Sequence, residues 1–123
     1  LMNFILTQPA VSLTGIPGTI LKDINLPVST SVVVDSVQYA YNTSVKWLVT
    51  VLDPVGHTLI SSYEVLAIHK NGTNPKFTRY ATVGDRITHN VDVTISGNDL
   101  QLQITNNETI GLQANIVRIQ TIT

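Results

Sequence analysis

The sequence predicts an all-β protein, a single antiparallel β-sandwich of jelly-roll or immunoglobulin-like type with about seven or eight strands. Three observations carry this. Apolar residues nowhere recur at helical spacing over a useful length, several runs alternate with a period of two, and turn signals return about every eight to twelve residues. A chain of 123 residues has room for one hydrophobic core. We divide it into an N-terminal arm and edge strand, residues 1–30, and a sandwich domain, residues 31–123.

The opening "LMNFILTQPAVSL" is apolar but has no pairing run close by in sequence. It reads either as an edge strand of the same domain or as an extended arm that lies on a neighbouring subunit and caps its sheet edge. In the second case Phe4, Ile5, Leu6, Val11 and Leu13 are the assembly contacts. Asn3, Gln8 and Pro9 break the stretch too often for a membrane span, and it lacks the basic start of a signal peptide. Leu1 in place of an initiator Met leaves open a processed, trimmed or fragmentary chain.

"TILKDINL" and "TSVVVDSV" are short strand candidates separated by Pro27, and "VQYAYNTS" has room for one helical or irregular turn. In "VKWLVTV", Val45, Trp47, Val49 and Val51 share one face, while Lys46, Leu48, Thr50 and Leu52 share the other. The second face is only partly polar, which predicts a central strand. Residues 63–70 and 77–83 are expected to pair as a hairpin around a loop at 71–76, with Glu64 and Arg79 close enough for a cross-strand ion pair.

In "ITHNVDVTI", Ile87, His89, Val91, Val93 and Ile95 alternate with Thr88, Asn90, Asp92 and Thr94, giving one buried and one wet face. "SGND" turns the chain, and "LQLQIT" follows with Leu100, Leu102 and Ile104 inward. After "NNET", the run "LQANIVRIQTI" supplies a closing strand.

Charged residues make up only 12% of the chain, and the net charge is -1. Seven scattered lysines and arginines among eight acids give no basic field, so nucleic acid is not an expected ligand. A weakly charged surface has little self-repulsion, which suits a protein packed against neighbours. With no cysteine, disulfides, thiolate nucleophiles and thiolate zinc sites are excluded.

His57, His69 and His89 lack the spacing of a metal pair on one element. By parity His89 falls on an apolar face as a core histidine, and His69, at a strand end, is expected half-exposed. Ser61, Ser62 and Glu64 form no nucleophile elbow, and Asp53 and Asp85 fit turns, where a short carboxylate accepts from nearby amides. Asn42, Asn71 and Asn107 each begin a glycan-acceptor tripeptide, at chance frequency for a chain rich in Asn and Thr. Tyr63 and Tyr80 read as packing residues of the hairpin. Tyr39, Tyr41 and Asn71 are the candidates for sugar contacts, since aromatic faces stack on pyranose rings. No catalytic residue, metal or cofactor is expected.

Four blocks in order, "VVVDSVQYAYNTSVKWLVTVLD", "YEVLAIHKNGTNPKFTRYATVG", "VDVTISGNDLQLQITNN" and "IVRIQTI", together resemble a small β-sandwich virion structural module of tailed bacteriophages, of the kind found in cyanophages. The matching positions are Asp35, Lys46, Glu64, Ile68, His69, Gly72, Tyr80, Asp92, Ile95, Gly97, Leu102 and Arg118. The likeness spans residues 31–123 and departs at Lys70, where the family pattern carries an acid, and at the inserted "NPK".

The resemblance implies a non-enzymatic virion protein. The favoured role is a capsid decoration or cement protein that binds the major capsid protein and stabilises the head through inter-subunit contacts, as a homo-oligomer with a trimer as the expected symmetry. The alternative is a tail, baseplate or fibre module that binds a host-surface glycan or a neighbouring tail protein.

Overall fold

In the computed structural model, residues 19–39 and 42–122 are described. They form eight strands: β1 Thr19–Leu26, β2 Ser31–Gln38, β3 Asn42–Leu52, β4 Ile60–Lys70, β5 Thr73–Gly84, β6 His89–Ser96, β7 Asp99–Asn106 and β8 Leu112–Ile122. Five build one antiparallel sheet in the order β1-β8-β3-β4-β5, and three build a second in the order β2-β7-β6. The two pack as the expected sandwich. The pairs β1 with β8 and β2 with β7 are nested, as in a jelly roll, while β3, β4 and β5 follow one another as a meander.

Alternation explains the core. Val45, Trp47, Val49 and Val51 are fully buried, and β3 is central as expected, flanked by β8 and β4. Leu100, Leu102 and Ile104 of β7 face them from the smaller sheet with Val93 of β6 and Val34 and Val37 of β2, and Ile116 of β8 joins from the larger sheet. Each such side chain contributes about 1.5–3 kcal/mol by leaving water. Leu26 of β1 belongs to the same core, so the segment before residue 31 contributes an edge strand of this sandwich.

The β4–β5 hairpin is tighter than expected. The six-residue loop at 71–76 is a two-residue turn, Asn71-Gly72, with both residues at positive φ (51° and 77°) and Lys70 paired to Thr73. This is the backbone that an Asn-Gly type I′ turn requires. Pro75, read as a loop residue, sits in β5, where an edge strand tolerates a residue that cannot donate to a ladder.

Beside it Asn74 has a φ of 49°, and the pairing slips between Ile68 and Lys70; a second slip opposite Ala81 lies between Ser62 and Glu64. The first of these bulges, between the turn and Glu64, overturns the expected Glu64–Arg79 pair. Arg79 lies opposite Val65, whose side chain is buried, and its guanidinium stands 4.0 Å over the Tyr63 ring. Glu64 points to the other face, opposite Tyr80.

Among the described strands, three of the four sheet edges are irregular: β1 is bulged at Asp23, β2 slips between Val33 and Asp35, and β5 carries its proline and two bulges. Irregular edges are poor templates for a further strand.

Candidate interaction surfaces

Polar side chains gather in four groups on the strands and in a further set at one end of the sandwich; two of the four lie between the sheets. On β2, Asp35 is buried, and its carboxylate accepts from the Trp47 indole N–H at 2.8 Å, from the Ser36 amide at 2.9 Å and from Arg118 Nη1 at 2.9 and 3.1 Å. Strand parity makes this possible. Trp47 and Arg118 are register partners on β3 and β8, so both reach inward at one point.

On β6, buried His89 makes the second link. Its Nδ1 lies 2.8 Å from the Ile87 carbonyl, which can only accept, so Nδ1 carries the proton and Nε2 accepts from the Tyr63 hydroxyl at 2.9 Å. Burial lowers the imidazole pKa below its ordinary value, with the nearby Arg79 charge adding to the fall. Burial also pushes the Tyr63 phenol up. The histidine is a satisfied core residue, as its parity predicted.

The third group lies at the β4–β5 turn. His69 is buried rather than half-exposed, because the edge of Tyr39 packs on its ring and its Nδ1 accepts the Gly72 N–H at 2.9 Å. A side chain at Gly72 would meet the Tyr39 ring at 2.5 Å. Of the candidate sugar contacts, Tyr39 therefore supports the turn from beneath, Asn71 is exposed at its tip, and Tyr41 lies outside the described residues. Phe4, Ile5, Leu6, Val11 and Leu13 also lie outside them.

The fourth group is on the outer face of the five-stranded sheet. Lys46 bridges Glu64 at 3.4 Å, and the Tyr80 hydroxyl also bonds Glu64. That bond first, and the Lys46 charge second, hold the Glu64 carboxyl below its ordinary range, while the same bond raises the Tyr80 phenol. Around the bridge, Ile20, Leu48, Leu66, Ile68 and Ile119 are exposed to solvent. A depression of about 410 Å³ beside the β1 bulge runs between Ile20, Leu48 and Asn115.

At one end of the sandwich, three loops enclose a groove of about 410 Å³, lined by Pro27, Pro54, Val55, Ile110 and Leu112, with Val55 82% exposed. Asp53 shapes it by accepting from the Thr58 hydroxyl and the Val55 amide, bonds that lower its pKa, the first more than the second. Asp85 plays the same kind of part in the β5–β6 turn at the same end, accepting from the Ile60 amide. Buried Asn106 closes the groove end by donating to the carbonyls of Leu26 and Ile110 and accepting from the Glu108 amide. Sequence reading passed over Asn106, because its partners are all backbone atoms and one of them, the Leu26 carbonyl, is 80 positions away.

Among the described residues no three His, Asp or Glu side chains gather as a metal site. Of the positions that carry the phage resemblance, Asp35 and Arg118 form the first group, His69 and Gly72 the third, and Lys46, Glu64 and Tyr80 the fourth.

No protein-family model matches the chain, and no curated protein matches it in sequence. Among solved structures, the fold is similar to part of the tailspike protein of Acinetobacter phage vB_ApiP_P1, with a TM-score of 0.54 at 15% identity. The match covers 100% of this chain and 25% of the tailspike chain.

Proposed function

We propose that this chain is a structural module of a bacteriophage virion that works by protein–protein contact and carries no catalytic activity, placed in the tail or its spikes. The observation that carries the reading is the fold likeness to one quarter of a phage tailspike across the whole of this chain. The ordered resemblance of residues 31–123 to phage virion modules supports it from a separate direction. The weakly charged surface suits a subunit held among neighbours. Catalysis finds little support in the polar groups: His89, His69, Asp35 and Asp53 are each committed to holding strands or turns.

A second reading, decoration of the capsid surface through contacts with the major capsid protein, is favoured by the weakly charged composition and the apolar opening of the chain. It retains residues 1–13 as an arm laid on the neighbouring subunit.

Gold-tagged antibody against this chain on intact virions separates the two readings. Label at the tail or its tip is the expected result; label spread over the head replaces it with the decoration reading. Purified particles that lack the chain refute both.

A further inference from the structure

The outer face of an antiparallel sheet exposed to water is ordinarily polar, with apolar residues reserved for the core side. Here it is not. Ile20, Leu48, Leu66, Ile68 and Ile119 are each between 40% and 60% exposed, on four adjacent strands. The registers make them neighbours. Ile20 lies beside Val117 and Val117 beside Leu48 in one row, and Ile119, Lys46 and Leu66 follow one another in the next. The charges at the centre of the patch are Lys46 and Glu64, already bridged to each other at 3.4 Å.

We propose that this face is an isologous interface with a second copy of the same chain, the two five-stranded sheets meeting face to face. The argument is the arrangement of four central side chains. Leu48 stands beside Glu64, and Lys46 beside Leu66, so the two leucines occupy one diagonal of the square and the two charges the other. A two-fold axis lying in the interface along the leucine diagonal sets Leu48 on its own symmetry mate and Leu66 on its own. It also brings Lys46 of each copy within side-chain reach of Glu64 of the other.

The result is a ring of four alternating charges inside an apolar surround, with the strands of the two sheets crossing steeply, as orthogonal sheet packings do. A different protein would need a complementary pair in this order. A second copy carries one by symmetry. The assignment rests on the face itself and takes nothing from the virion reading.

The test uses charge reversal and mixing. In the wild-type chain, sedimentation velocity is expected to show a concentration-dependent dimer. Lys46→Glu places like charges opposite each other in a homodimer, and so does Glu64→Lys. Each variant alone should therefore weaken dimerisation roughly tenfold or more. Both positions are solvent-accessible, so circular dichroism should show each variant folded.

Mixing the two folded variants restores opposite charges at both contacts, and a heterodimer of near wild-type affinity is the expected result. A wild-type chain that stays monomeric overturns the proposal and leaves the face to another protein. A dimer that neither reversal weakens, or single variants that fail to associate on mixing, overturns it as well.

Discussion

The smaller sheet is fastened to the larger at both of its edges, by two polar clamps of different kinds. At β2 the clamp is charged: the Asp35 carboxylate takes the Arg118 guanidinium and the Trp47 indole. At β6 it is neutral: the Tyr63 hydroxyl donates to His89, which donates to the Ile87 carbonyl. The comparison separates two ways of burying polarity. A buried ion pair is costly to assemble and more costly to half-dismantle, whereas a neutral chain of hydrogen bonds costs less to break but can be disturbed by a proton.

The largest expected effect is at the charged clamp. Asp35→Ala removes the counter-charge of a largely buried guanidinium and the acceptor of the buried indole N–H, and should cost about 3–5 kcal/mol. Urea denaturation measures this directly. Replacing both charges, Asp35→Leu with Arg118→Leu, should be less destabilising than Asp35→Ala alone, because no orphaned charge remains. A double variant that loses the full sum would show that the pair contributes through packing instead.

At the neutral clamp, Tyr63→Phe keeps the ring but leaves His89 Nε2 without its donor, an expected loss of about 1–3 kcal/mol. Arg79 stacks on the same ring and should stay in place in the variant.

The smallest effect is one that only the neutral clamp can show. His89 has a lowered folded pKa, so between that value and about 6.5 the unfolded chain binds more protons than the folded one. Stability therefore rises with pH through this window; on acidification it falls from about 6.5 down to the folded value and levels off below that. The groups facing the imidazole are the Tyr63 hydroxyl, the Arg79 guanidinium, which opposes protonation, and Glu108, which favours it. Denaturation midpoints measured from pH 7.5 downward (on the order of two pH units) should slope less in His89→Gln than in wild type. Equal slopes would remove His89 from the pH response.

Much of the architecture was legible because it depends on a local period. Trp47 and its neighbours, the β6–β7 hairpin around Gly97 and the closing strand all follow from alternation and turn chemistry. What alternation cannot see is an extra residue. One bulge beside Asn74, between the turn and Glu64, changed which residue faces Glu64, and one proline disguised four residues of β5 as a loop.

The clamps were hidden for another reason. Asp35 and Arg118 are 83 positions apart, and no spacing rule connects an acid on one strand with a base on another. The resemblance to phage modules pointed to both residues without saying that they touch. The exposed leucines of the outer face were legible only in part. Leu48 was noted as making its face less than polar, yet the rows that join it to Ile20 and Leu66 exist only once the register is known.

The nested pairing has a consequence in time. β1 and β2 emerge early in synthesis, but their partners are β8 and β7; Asp23 finds Asn115 across 92 positions of chain. β3, the centre of the larger sheet, gains its second neighbour only when β8 arrives. Such non-local closure makes folding slow. Until it is complete, the apolar side of β3 waits beside the β4 meander with one flank open, a state prone to pairing with other chains. A particle needing many copies at once would then be limited by how fast each copy closes this last strand. A chain whose β8 is joined ahead of β1, by circular permutation between residues 107 and 111, would make that pairing local and should fold measurably faster.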